Sequence, residues 1–225
     1  MATHGATTSR PRRSALDIEA SAQACLKRCT GKLGLKEIPI PVPVDLWIER
    51  PLGIGFGVSD LSHLGSDVLG AAFISENEIL VSEILMTHMG RYRFTCAHEL
   101  GHFILHGHMN QAFRDTEVEP GTRAGCEDEA DRFGAAFLMP ATIVMREFFD
   151  ICAAHGVNPG KFMVALMEHA TETQTVWKRI LLPELTRKFN VSLSAALFRF
   201  RELVLPNGAP FIPVSQVQSL VTKGG

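Results

Sequence analysis

Four of the nine histidines in this chain fall in the eleven positions from 98 to 108, within the stretch RFTCAHELGHFILHGH. On a helix, His98 and His102 stand one turn apart on the same face, with Glu99 beside them. This is the H-E-x-x-H arrangement. Two imidazoles at that separation can grip one Zn²⁺ through bonds of about 2.0–2.1 Å, and the neighbouring carboxylate is then placed to act as a base rather than as a ligand. A catalytic zinc site also needs a third protein ligand and an open position for water.

Three residues compete for the third place. His106 shares the helix face, but at 1.5 Å of rise per residue it lies about 12 Å along the axis from His98, so one metal cannot be held by both. His108 falls where the last histidine of H-E-x-x-H-x-x-G-x-x-H would stand, a pattern whose glycine lets the chain leave the helix and swing back to the metal. Here Leu105 occupies the glycine position, and the glycine, Gly107, comes two residues late. The acidic rival is EDEAD, where Glu127 and Asp131 are four residues apart on one face of a second helix. Glu127 would complete the ligand set, and Asp131 would accept a hydrogen bond from the outer nitrogen of a ligand histidine and fix its tautomer. Alone, the pair fits equally well a solvated acidic helix start that complements the helix dipole. Beside HELGH the ligand role outweighs that account, with His108 still open as an alternative. Glu129 is out of phase with both and is expected at the surface.

The elements that must position these groups follow from periodicity. Ala97, Leu100, Gly101, Ile104 and Leu105 form an apolar stripe opposite the histidines, which predicts a helix over 94–106 that Gly107 stops. QAFRDTEVEPGTRAG reads as a polar loop. CEDEADRFGAAFLM reads as a second helix closed by Pro140, with Ala130, Phe133, Phe137 and Leu138 on its apolar side. Directly upstream of the histidines, VLGAAFIS and EILVSEIL predict a hairpin turning at Glu76 and Asn77, and a strand placed there could hold a peptide by edge pairing. Further upstream a helix starts at Leu16 and ends near Gly31 or Gly34, with Cys25 and Cys29 read as core thiols. IPIPVPVD must be extended because its alternating prolines forbid a helix. VDLWIER is a short helix stopped by Pro51, and GIGFGV a strand whose G-x-G-x-G spacing is not the dinucleotide fingerprint. Helices near 141–154, 160–180 and 184–204 make a helical C-terminal half. In the last of these, Ser192 is the expected N-cap, and Arg199 and Arg201 give a sparse basic character that suits packing or substrate docking better than reading DNA.

The whole chain sets the outer bounds. Its 225 residues, 46% hydrophobic and 20% charged, suffice for one sizeable core. A formal net charge of −2 gives no global attraction to nucleic acid or to an anionic membrane. No apolar run reaches the roughly 18 residues of a membrane span, and MATHGATTSRPRRSA lacks the apolar core of a signal peptide, so a cytoplasmic setting is expected. The five cysteines are odd in number and scattered, which suits reduced thiols.

Taken together, RFTCAHELGHFILH and EDEADRFGAAFLMP resemble the ImmA/IrrE family of zinc metallopeptidases. The resemblance extends over roughly residues 16–205, through the N-terminal helix, the proline-rich lead into VDLWIE, the hairpin and LTRKFNVSLSAALFRFREL. It implies a gluzincin-like α+β fold: a small N-terminal antiparallel sheet with the active-site helix, and a helical C-terminal half. It implies one Zn²⁺ on His98, His102 and Glu127, with Asp131 behind them and Glu99 as catalytic base. It also implies a protein substrate, since several members act on helix-turn-helix repressors in phage, mobile-element or stress regulation. The chain departs from the usual pattern at Cys96, where an aliphatic residue is common, and at Pro51. The expected organisation is a dispensable tail over 1–14, a metallopeptidase domain over 15–182, a helix-turn-helix-like appendage over 183–205 and a C-terminal tail over 206–225. The residue that would stabilise an oxyanion is not identified; Tyr92, the only tyrosine, is a weak candidate. Cys96 and Cys126 flank the ligands in sequence and are read as packing residues. A zinc-containing regulator that binds protein or DNA without turnover is the rival function, but metal binding alone would not require Glu99.

Overall fold

The computed structural model describes residues 12–107, 120–167, 171–203 and 211. His108 and the last residues of the chain lie outside the described residues. Helix α1, Ala15–Leu33, opens with a capping box in which the Ser14 hydroxyl accepts from the Asp17 N–H and the Asp17 carboxylate accepts from the Ser14 N–H. Its Ile18, Ala22, Cys25, Leu26 and Cys29 are buried, the i, i+3, i+4 stripe of a helix laid on a core. The extended segment after it leads into the short helix α2, Val44–Glu49.

Three strands follow: β1 Gly55–Ser59, β2 Gly70–Phe73 and β3 Glu78–Ser82, in the order β1-β3-β2. β2 and β3 form the expected hairpin, with Gly70 opposite Val81 and Phe73 opposite Glu78; the turn ends on Asn77 at φ 54°. β1 joins β3 in parallel, so the sheet is mixed rather than wholly antiparallel. The reason is the connection: β1 reaches the sheet ahead of a short 3₁₀ excursion over Ser62–Leu64, not through a tight turn. β2 is left as an edge strand.

The histidine helix, α3, runs Met89–His106, and its partner, α4, runs Pro120–Leu138. α4 starts well before the expected boundary, within the stretch read as a polar loop. Pro120 suits a first helical position because its missing N–H would have no partner there anyway. α4 packs chiefly on α3 and on α1. Phe133 and Phe137 stack at 5.9 Å, and Trp47 meets Phe137 edge-on at 6.3 Å, which ties α2 to the same core.

The C-terminal half is helical, as expected for this α+β fold: α5 Ala141–Ala154, α6 Pro159–Met167, α7 Thr171–Val176, a π-helical turn over Trp177–Leu181, α8 Leu182–Phe189 and α9 Leu193–Glu202. The single helix expected over 184–204 is two, because Asn190 takes the left-handed conformation at φ 49° and Ser192 then caps α9. Arg199 is buried, donating to the Met139 carbonyl at 2.8 Å and pairing with Glu19 at 2.7 Å. It is therefore committed to packing. Leu185, Phe189, Leu197 and Phe200 belong to the same hydrophobic core as α1–α4. Phe211, in the stretch expected to be a tail, is buried against Phe148 and Phe200. Among the described residues no helix is long and apolar enough to cross a membrane.

Candidate metal centre

α3 turns His98 and His102 toward α4, and α4 brings Glu127 to meet them. His98 Nε2 and His102 Nε2 are 3.0 Å apart, and Glu127 Oε2 lies 3.2 Å from the first and 3.6 Å from the second. A tetrahedral zinc with bonds of 2.0–2.1 Å needs donor atoms about 3.3 Å apart. The three separations bracket that value, and two imidazoles with one carboxylate are a donor set that zinc accepts. Among the described residues this is the one group of three whose ligand atoms converge closely enough to hold a metal.

The geometry also orients the ligands. With Nε2 of His98 turned to the centre, its Nδ1 faces Asp131 Oδ1 at 2.8 Å. Asp131 therefore lies against the outer nitrogen of the His98 ring. Burial alone would lower the His98 imidazole, but the hydrogen bonds to Asp131 and Glu127 and the Glu99 charge outweigh it and raise it to about 10. Hydrogen bonds from His102 and His98 hold the Glu127 carboxyl well below the usual carboxylate range, against its partial burial.

Glu99 is buried beside the two histidines and is not one of the three converging donors. Burial pushes its carboxyl up, opposed by His98, by His102 and by a hydrogen bond from the Ala72 backbone. That last contact exists because β2 lies directly on α3. A Cβ at Gly70 would stand 2.6 Å from Glu99 Oε1 and 2.7 Å from Thr95 Cγ2. Only a glycine lets the edge strand come this close. A cleft of about 570 Å³ opens over the centre, with Leu69 and Gly70 of the strand side, Phe94 and Arg91 of α3, and the metal-ligand candidates all lining it.

Other sequence candidates fall elsewhere. Tyr92 is buried near Asp45 and Cys96 and does not line the cleft. Cys96 and Cys126 are both buried. The expectation for Glu129 is overturned: it is 4% exposed, 3.1 Å from His106 Nε2 and paired with Arg13. His106, on the same face as the ligands yet too far for the same metal, is fully buried with Nδ1 3.2 Å from His102 Nδ1. Arg13 falls within the stretch expected to be a dispensable tail, and its backbone N–H donates to Glu129 at 2.9 Å. The sequence carried one signal for this: a third imidazole, eight residues after His98, that shares a face with the ligands but lies too far along the axis for their metal.

Paired histidines with an adjacent carboxylate on one helix, an acid on the facing helix and an edge strand along the cleft define a metallopeptidase-like protein. Residues 66–201 match the model of the Peptidase_M78 family, described as the IrrE N-terminal-like domain, and the chain belongs to that family. Membership supports peptidase activity at a general level. No curated protein matches this sequence. Among solved structures, a Mycobacterium tuberculosis transcriptional regulator is similar at 17% identity with a TM-score of 0.49, over 86% of this chain and 48% of that one. The chain therefore spans about half the length of that protein.

Proposed function

We propose that this protein is a zinc-dependent endopeptidase of the cytoplasm whose substrate is a protein, a helix-turn-helix transcriptional repressor acting in stress or mobile-element control. The observation that carries the reading is the convergence of His98, His102 and Glu127 at near-tetrahedral spacing, with Glu99 alongside but outside the ligand set. Kinship with the ImmA/IrrE proteins supports the choice of substrate class.

When bound there, zinc supplies Lewis acidity, which polarises a carbonyl and brings the pKa of water toward neutrality. The rest is done by the chain's own side chains. Asp131 keeps His98 in the tautomer that presents Nε2. Glu99, whose carboxyl is raised by burial, takes a proton from the water whose oxygen bonds to the scissile carbonyl carbon and returns it to the amine as the C–N bond breaks. β2 is an edge strand along the cleft, so an extended peptide can add to the sheet with its scissile bond over the centre.

The test is Glu99→Gln, which keeps the shape and removes the base. Zinc content and substrate binding should survive while cleavage falls by roughly 10²–10⁴-fold. The assay is co-expression with a candidate repressor, following both its fragments and the transcription it controls. De-repression that persists in Glu99→Gln, with no fragment ever formed by the wild type, would replace this reading with a regulator that acts by binding alone.

A further inference from the structure

The two ligand histidines are held from behind in different ways. His98 Nδ1 meets a carboxylate directly, whereas His102 Nδ1 meets a second imidazole, His106 Nδ1, at 3.2 Å. His106 Nε2 then lies 3.1 Å from Glu129 Oε2. Glu129 accepts from the Arg13 backbone N–H at 2.9 Å and from Arg13 Nη1 at 3.0 Å. The direction of each bond follows from the first. If His102 turns Nε2 to the metal, its hydrogen sits on Nδ1 and is donated to His106 Nδ1. His106 then carries its own hydrogen on Nε2 and donates it to Glu129, which also faces the Arg13 guanidinium. With these directions each hydrogen bond along the row has a donor and an acceptor.

We infer that His106, Glu129 and Arg13 form a positioning relay that fixes the tautomer and ring orientation of His102, doing through an intervening imidazole what Asp131 does directly for His98. This rests on the metal-centre reading above and extends it to the start of the chain. Packing alone does not account for the row. His106 is fully buried and Glu129 nearly so, and a buried imidazole and carboxylate are costly compared with apolar residues of similar volume. None of the three residues is close enough to serve as a ligand, so their link to the metal runs through His102 Nδ1. Outer partners of this kind typically change metal affinity by about 10- to 100-fold when removed.

The experiment uses the full chain and zinc itself, measuring affinity by competition with a chromophoric chelator and ligand geometry from the absorption spectrum of the Co²⁺-substituted protein. His106→Leu should weaken zinc by about 10- to 100-fold and alter the Co²⁺ spectrum. His106→Asn, whose side-chain oxygen can take the place of Nδ1 as acceptor, should recover most of that loss. Glu129→Gln and Arg13→Ala should each weaken zinc by a smaller factor, and they carry the test if His106→Leu does not fold. Leu185→Ala, in the core under α8 and away from the cleft, should lower the melting temperature but leave zinc affinity within about twofold. Wild-type affinity in His106→Leu, or in both Glu129→Gln and Arg13→Ala, would overturn the relay, as would an equal loss in Leu185→Ala. A wild-type protein that takes up no zinc would overturn the metal centre itself, a result distinct from any of these.

Discussion

α3 and α4 meet at Gly101, and that contact sets the distance between the histidines and Glu127. A Cβ at Gly101 would stand 3.1 Å from both Cα and O of Ala130 and 3.3 Å from Phe133 Cβ. Carbon atoms rest at about 3.5–4.0 Å, so Gly101→Ala calls for roughly 0.5 Å of separation, and none of the three atoms is the end of a flexible side chain. Two effects on stability oppose each other. Alanine is favoured over glycine inside a helix by about 1 kcal/mol, while overpacking a core costs about 1–3 kcal/mol. The net expectation is a loss of about 0–2 kcal/mol, or up to ~8 °C in Tm for a chain of this size. Zinc affinity is the sharper readout. Gly101 adjoins His102, and Ala130 is three residues from Glu127, so the same displacement falls between ligands of one metal. Coordination distances tolerate only about ±0.2 Å, and zinc should bind at least about tenfold more weakly, equivalent to ~1.4 kcal/mol. Gly134→Ala should act in the same direction, since its Cβ would stand 3.1 Å from the backbone nitrogen of His98. The assays are a thermal melt of the metal-free protein and a chelator competition. A Gly101→Ala protein that is about 1 kcal/mol more stable than wild type and binds zinc equally well would refute the argument that this bare contact sets the ligand geometry.

Two further outcomes are expected. Glu127→Ala should weaken zinc by more than the about 10- to 100-fold expected of Asp131→Ala, and His108→Ala should leave it near wild type; the reverse order would put His108 in the coordination sphere. All five cysteines are buried, and burial pushes Cys96 up to about 12 and Cys152 up to about 11. The Cys25 hydrogen bond lowers Cys29, but burial screens all five from reagent, so a thiol reagent at neutral pH should label none of them in the native protein and all five after denaturation in guanidinium. A rapidly labelled native thiol would show that the core is more open than these positions require.

The helix carrying HELGH and the helix carrying EDEAD were legible because each has a strong local period: an apolar stripe on one side and the metal-binding types on the other. The hairpin was legible for the same reason, from two apolar runs around a turn. The parallel entry of β1 was not, since GFGVS offers two glycines and no alternation from which a pairing direction follows. Nor was the early start of α4, because PGTRAG is weak in helix propensity and folds as helix only where its continuation is already packed on α3 and α1. Gly70 marked itself as a glycine inside a strand, but what it lies against, Glu99, comes from an element 29 residues further on.

The misplacement of Glu129 has a physical cause that bears on the centre as a whole. Residues 127, 129 and 131 succeed one another at 100° intervals per residue, so Glu127 and Asp131 share a face and Glu129 points about 200° away from Glu127. A helix lying on a single neighbour would leave that side in solvent, where a glutamate is ordinary. α4 instead packs on α3 and α1 together, and what a wheel drawn from one helix shows as the outer side is an interior flank. The cap of α1 brings Arg13 to that flank, and α3, continuing two turns past His98, brings His106. One short acidic run can then serve both ligand histidines: Glu127 and Asp131 on the side of His98, and Glu129 through His106 on the side of His102. The proposed relay therefore ties the candidate metal centre to the start of α1 as well as to the two helices whose motifs announce it, and the wheel could not reveal this because Arg13 is 116 residues from Glu129 in the chain.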